Sequence, residues 1–152
     1  MATQAQPIEQ TSQIEVRTRF GSLPVKDDSV LEFPQGLPGF RDLRRFVLFH
    51  DLDNRSIFYL QSTDDPEVRL PVTDPHWFDV HYQIALTDEE FELLDVSDMR
   101  DLTLLVTIRE GTSDASGPQA NFNGPIIINL NTRTALQKTL REPRRTVTIE
   151  AH

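Results

Sequence analysis

The chain has no cysteine among its 152 residues. That excludes a disulfide framework, a thiolate nucleophile and a cysteine-based zinc site. It is the composition expected in a reducing compartment. Long apolar runs are also missing: nothing approaches the roughly 18 residues of a membrane-spanning helix. The opening Met1-Ala2-Thr3-Gln4-Ala5-Gln6-Pro7 lacks the basic and apolar regions of a secretory signal, so a cytoplasmic protein is the expectation. Positive charge is scarce. Fifteen Lys and Arg stand against 24 Asp and Glu, a net charge of -9. Binding to a phosphate backbone wants the opposite sign.

The catalytic signatures are absent in turn. No Gly-x-Ser-x-Gly elbow occurs. No glycine-rich phosphate loop with its Lys-Ser/Thr step occurs. His76 and His81 stand five apart, which puts them on opposite faces of a strand and off register on a helix. Two ligands make a poor metal site in any case. His50, Asp51 and Asp53 resemble a base with its orienting acid, but no activated nucleophile can be placed beside them. The expectation is therefore a protein with no enzyme activity, no cofactor and no metal.

What is present is period-two patterning. Ile14, Val16, Thr18 and Phe20 share one face, and Glu15, Arg17 and Arg19 the other, as in a half-buried strand. Residues 21–26 read as a turn. Apolar runs at 46–49 and 57–61 flank Asp51-Leu52-Asp53-Asn54-Arg55, a hairpin pattern. Pro71 inside 68–72 argues for an edge strand or a strand end. Residues 80–86, 102–109, 126–130, 135–140 and 146–150 are further strand candidates. One helix signal interrupts them. In Thr87-Asp88-Glu89-Glu90 a capping Thr precedes Glu at the third helical position. The reading is an all-β single domain over residues 14–150, closing into a barrel or a sandwich, with one short helix. Residues 1–13 form a disordered tail.

Charge is uneven. Residues 51–101 hold fourteen acidic groups and three basic ones, a net -11, while residues 131–152 carry a net +3. An acidic middle favours encounter with a basic partner; a merely solubilising face is the alternative reading.

The most informative stretch is Leu31-Glu32-Phe33-Pro34-Gln35-Gly36-Leu37-Pro38-Gly39-Phe40. Each proline fixes its own φ and pushes the residue before it toward extended geometry. Each glycine can supply positive φ. Apolar residues frame the turn, so it is sewn to a core and held in one shape. Such a loop suits recognition better than catalysis.

This stretch resembles the N-terminal signature of the flagellar assembly factor FliW family. Phe58-Tyr59-Leu60-Gln61-Ser62, Leu104-Leu105-Val106-Thr107-Ile108 and Asn121-Phe122-Asn123-Gly124-Pro125-Ile126-Ile127-Ile128-Asn129 are similar to that family's later motifs, in its order. The resemblance implies an antiparallel barrel-like fold. It implies a monomeric cytoplasmic chaperone and translational regulator, with flagellin and the RNA-binding repressor CsrA as partners, acting by protein–protein binding. A purely structural flagellin adaptor is the alternative. The motif matches carry Phe33, Pro34, Pro38, Phe40, Gln61, Ser62, Asn121 and Asn129 as partner-binding candidates. Gln61, Ser62, Asn121 and Asn129 have a second reading, as residues that hydrogen-bond loop backbones. The chain departs from the pattern at Phe122, where Leu is usual, at Gly124, where Ala is usual, and around Arg141, Arg144 and Arg145, where a Tyr-containing tail is usual.

Overall fold

A computed structural model describes residues 12–79, 84–109 and 119–140. The tail up to residue 11, the strand candidate at 146–150, most of that at 80–86, and Arg141, Arg144 and Arg145 lie outside the described residues. So does His81.

Among the described residues, ten strands and one α-helix follow in chain order: β1 (Gln13–Thr18), β2 (Gly21–Lys26), β3 (Val30–Glu32), β4 (Arg45–His50), β5 (Ile57–Ser62), β6 (Arg69–Thr73), α1 (Asp88–Leu94), β7 (Leu102–Arg109), β8 (Gln119–Ala120), β9 (Ile126–Asn129) and β10 (Thr134–Gln137). Strands β3, β4, β5, β6, β7, β9 and β10 pair in a ring, closed by β6 on β7 and by β10 on β3. Neighbours in the ring are antiparallel except β10 and β3, which meet in parallel at Thr134 and Glu32. An odd number of alternating strands leaves the first and last running the same way, so one parallel pair is unavoidable. The Glu32 N–H donates to the Arg133 carbonyl at 2.8 Å across that junction.

Expectation and structure part at three places. Residues 21–26 form strand β2, paired with β1 from Thr18↔Gly21 to Gln13↔Lys26. Pro24 is tolerated because the two-stranded β1–β2 sheet is all edge. Pro71 lies inside the ring, in register with Tyr59 of β5. The β6–β7 seam holds only Val72↔Thr107 and Thr73↔Val106 and stops at Pro71, which has no N–H to extend it. Residues 84–86 form no strand; Ile84 and Leu86 pack instead beside Leu94, Ile127 and Leu136. The hairpin of β4 and β5, strand β7 and the helix stand where the pattern put them.

The barrel interior holds Leu31, Phe33, Leu37, Phe46, Leu60, Val72, Leu105, Ile126, Ile128 and Ala135. Phe33 meets Phe46 edge-on, with ring centroids 5.3 Å apart. Two layers cover the outside. The β1–β2 hairpin packs Val16 on Val30 and Val47. Helix α1 packs Leu94 on Ile127 and Leu136. Strand β9 therefore buries every residue, which is why its sequence is continuously apolar rather than alternating.

Helix α1 is too short to persist alone. The Glu90 N–H donates to Thr87 Oγ1 at 3.1 Å, and the Thr87 N–H donates to Glu90 Oε1 at 2.8 Å. Asp95 closes the helix in the left-handed region, φ 50°. Lys138 Nζ reaches Glu90 Oε1 at 2.6 Å and ties the helix to the chain beyond β10. Burial raises the Glu90 pKa, but Lys138 and the Thr87 bonds outweigh it and the net shift is downward.

Two predictions follow from the packing. Phe46→Ala empties a fully buried site and should cost about 3–5 kcal/mol in denaturant unfolding. Glu90→Gln tests the lowered carboxyl. Its contribution is present at neutral pH and lost as pH falls through the folded value. The variant should lose about 1 kcal/mol or less at neutral pH and show a flatter acid limb in stability against pH.

Candidate partner-binding site

Residues 33–44 join β3 to β4 through two proline-led turns. In the first, the Gly36 N–H donates to the Phe33 carbonyl at 2.8 Å. In the second, the Phe40 N–H donates to the Leu37 carbonyl at 2.8 Å, with Pro38 second and Gly39 third at φ 86°. Pro then positive-φ Gly is the type II pattern. The root is pinned as well, since the Phe33 N–H donates to the Arg44 carbonyl at 2.7 Å. Gly36 is buried at φ 66°, and a Cβ there would stand 2.5 Å from the Arg41 carbonyl oxygen. No side chain fits that approach.

These turns sort the loop's side chains into two sets. Phe33 and Leu37 go into the barrel core. Pro34, Pro38 and Phe40 face solvent. The loop is a surface patch on a buried foundation, and Phe33 contributes to it from below.

Gln61, Ser62 and Asn129 are buried, and their side chains are spent inside the fold. Gln61 Nε2 donates to the carbonyls of Ser62 (3.1 Å), Val68 (3.2 Å) and Pro66 (3.4 Å), and its Oε1 accepts from Arg69 Nε at 3.0 Å. Ser62 Oγ accepts the N–H groups of Asp64 and Asp65, each at 3.0 Å. Asn129 Nδ2 donates to the Leu94 carbonyl at 2.8 Å, while its Oδ1 accepts from Asn131 (2.9 Å) and Thr132 (3.2 Å). The contact reading of these three gives way to the loop-holding one. A buried amide must satisfy its donors and acceptor locally, and turn backbones supply the partners. Asn121 is exposed, and its Oδ1 accepts the Asn123 N–H at 3.2 Å. Gly124, beside it, leaves room for the Gln137 amide, whose Nε2 donates to the Gly124 carbonyl at 2.8 Å.

Strand polarity brings most of these residues together. Strands β3, β5, β7 and β10 run one way, and β4, β6 and β9 the other. Loop 33–44, loop 63–68 and the segment leading into β9 therefore share one end of the barrel. Phe33, Pro34, Pro38, Phe40, Gln61, Ser62 and Asn121 lie there, whereas Asn129 lies at the opposite end. A recess of about 450 Å³ opens beside Asn121, lined by Thr107, Ile108, Arg109, Gln119 and Ala120.

One feature of this end was hidden in the sequence pattern. Phe20, expected on the buried face of β1, sits at the β1–β2 tip and is 74% exposed. The Arg69 guanidinium lies 4.6 Å from its ring centroid, 5.1 Å from that of Phe49 and 5.2 Å from that of Tyr59. Arg19 reaches Glu67 at 3.6 Å. The hairpin tip is thus clipped to Arg69 of β6 by a cation–π stack and to Glu67 of loop 63–68 by an ion pair. The only hint was Thr18-Arg19-Phe20-Gly21, where a glycine directly after Phe can mark a hairpin tip.

Titration is dominated by structural bonds. The Tyr59 hydroxyl donates to Asp51 Oδ2 at 2.6 Å, which lowers the Asp51 pKa and raises that of Tyr59. Arg100 holds Asp98 below the usual carboxylate range. Among the described residues, no group of three or more His, Asp or Glu side chains could hold a metal ion. What this end offers chemically is contact: exposed proline and aromatic rings on fixed turns.

A family model described as FliW protein matches residues 15–150. The flagellar assembly factor FliW of Azoarcus sp. (strain BH72) is 40% identical over 126 residues, covering 80% of this chain and 86% of that protein. Flagellar assembly factor FliW 1 of Desulfotalea psychrophila is 34% identical over 135 residues, covering 88% and 96%. A crystal structure of the flagellar assembly factor FliW superposes with a TM-score of 0.76 at 25% identity, over 91% of this chain and 95% of that one. With a match spanning nearly the whole barrel and relatives this similar, the chain belongs to the FliW family.

Proposed function

We propose that this protein serves flagellar assembly by binding flagellin in the cytoplasm, and that it restrains the RNA-binding repressor CsrA by direct protein–protein contact. Its relatives are named flagellar assembly factors, which supports the assembly half. The observation that carries the binding half is the division of loop 33–44. Phe33 and Leu37 anchor it in the core, and Pro34, Pro38 and Phe40 stand outside on turns whose shape is already set. A preformed apolar patch binds with little ordering cost. Flagellin segments that pair with one another in a filament are amphipathic and need a host before assembly, and such a patch supplies one. Asn121, on the same end, offers its side-chain amide to the rim. The protein works by binding and has no catalytic step.

The regulatory half has a different support, the acidic balance of the chain. A repressor that binds RNA presents a basic surface, and a partner of net charge -9 is steered toward it. A flagellin adaptor without regulatory contact is the second reading; it predicts flagellin binding alone.

Titration calorimetry with monomeric flagellin from the same organism tests the proposal. The unaltered chain should bind 1:1 at micromolar Kd or tighter. Phe40→Ala combined with Pro38→Ala should weaken binding at least ~10-fold, about 1.4 kcal/mol, with the circular dichroism spectrum unchanged. Undiminished binding by that variant would remove the loop from the interface. No binding by the folded, unaltered chain would remove flagellin as a partner.

A further inference from the structure

The β1–β2 hairpin makes no strand pairing with the barrel among the described residues. It lies on the outer wall through Ile14, Val16, Leu23 and Val25, which pack with Val30, Val47 and Phe49. Its tip meets one cation. Arg69 of β6 stands opposite Gln61 of β5, and Tyr59 of β5 stands opposite Phe49 of β4. Side chains two apart on a strand share a face, so Phe49, Tyr59, Gln61 and Arg69 belong to that same outer wall. Among the described residues no carboxylate forms an ion pair with Arg69. The rings of Phe20, Phe49 and Tyr59 hold its charge instead, at 4.6, 5.1 and 5.2 Å. A guanidinium can stack and still donate, because its N–H groups lie in the plane and leave the faces free. The Nε–H goes to Gln61 Oε1 at 3.0 Å.

That bond fixes which way the Gln61 amide faces. Gln61 is fully buried. With Oε1 on Arg69, Nε2 faces the carbonyls of Ser62, Pro66 and Val68 and closes loop 63–68. The reversed amide would set Oε1 against three carbonyl oxygens. Loop 63–68 in turn meets the root of the Pro-Gly loop. Thr63 donates its N–H (3.0 Å) and its hydroxyl (3.2 Å) to the Arg45 carbonyl. The adjacent Arg44 carbonyl accepts the N–H of Phe33, the buried root of loop 33–44, at 2.7 Å. A continuous path of hydrogen bonds and peptide links therefore runs from the hairpin tip to the binding loop, with Arg69 at its head.

We propose that Arg69 is a positioning residue for partner binding: it sets the Gln61 amide, and through it loop 63–68 and the root of loop 33–44, without touching the partner. The assignment rests on the reading above, that flagellin binds the Pro-Gly end. Loss of the guanidinium leaves a buried Oε1 without its donor, which is costly enough to turn the amide or shift the loop. The disturbance falls on the loops, because the barrel strands keep their own ladders. Lysine replaces Arg69 only in part. It keeps the charge but has no flat faces for three rings.

The test combines flagellin titration with amide hydrogen exchange on the full-length chain. Arg69→Met should weaken flagellin binding at least ~10-fold. Exchange of the Asp64, Asp65 and Val68 amides, which close loop 63–68, should speed up at least ~10-fold. The Ile127 and Ile128 amides of β9 should exchange as in the unaltered chain, which reports an intact barrel. Arg69→Lys should fall between the two, and it carries the same comparison if Arg69→Met does not fold. A double-mutant cycle separates positioning from contact. In the background of Pro38→Ala with Phe40→Ala, Arg69→Met should cost less than ~3-fold further, because the surface it positions is already gone. Fully additive losses would overturn the assignment, since Arg69 would then meet the partner itself. Unchanged affinity or unchanged loop exchange in Arg69→Met would also overturn it and leave the proposed function standing. Failure of the unaltered chain to bind flagellin would overturn the proposed function and this assignment together.

Discussion

Phe33 and Leu37 enter the barrel core from the same loop that turns Pro34, Pro38 and Phe40 toward solvent. The residue before Phe33 is Glu32, whose N–H bridges to Arg133 where the ring closes in parallel. The root of the loop is thus the last junction of the barrel. Each buried side chain of that size contributes about 1.5–3 kcal/mol, and here the gain goes to holding the outward residues in place. A surface loop that would otherwise lose entropy on binding has already lost it on folding.

The polar residues that flank the apolar runs serve the same end. Gln61, Ser62 and Asn129 hold loop 63–68, the turn after β9 and the last turn of α1 by closing backbone donors and acceptors at the barrel rims. In a closed barrel, every strand end must turn within a few residues. Buried amides and hydroxyls stabilise such turns because unsatisfied backbone there is costly. Several acidic groups are used in the same way. Asp51, Asp65, Asp74 and Asp98 each accept a backbone N–H one turn on. The same acidic side chains thus close turns as well as add to the net charge of -9.

Local chemistry was legible in advance. Thr87 and Glu90 formed the capping box that their spacing required, and the Pro-Gly loop took its shape from residue type. Strand β7 was legible as a strand but not as a wall with two buried faces. Leu104 packs under α1 and Leu105 inside the barrel, so alternation could not show which face was core. Ring closure was beyond reach for the same reason: pairing of β10 with β3 joins residues a hundred positions apart and leaves no local trace. For Gln61 and Asn129 the sequence left two readings open, contact or loop-holding, because a polar residue after an apolar run also reads as a strand leaving the core. Their burial depends on loops that arrive from elsewhere. Phe20 failed in the opposite sense, since β1 ends one residue pair before the alternation does.

The measurement that bears most directly on the preformed loop is flagellin affinity of Gly36→Ala, taken with its melting curve. The new Cβ would meet the Arg41 backbone at 2.5 Å in a residue already at φ 66°, while the barrel strands stay intact. A preformed binding loop predicts a folded protein with a lowered Tm and flagellin affinity reduced at least ~10-fold. Full affinity in the same destabilised variant would contradict it, because the loop's shape would then be set by the partner rather than by the fold.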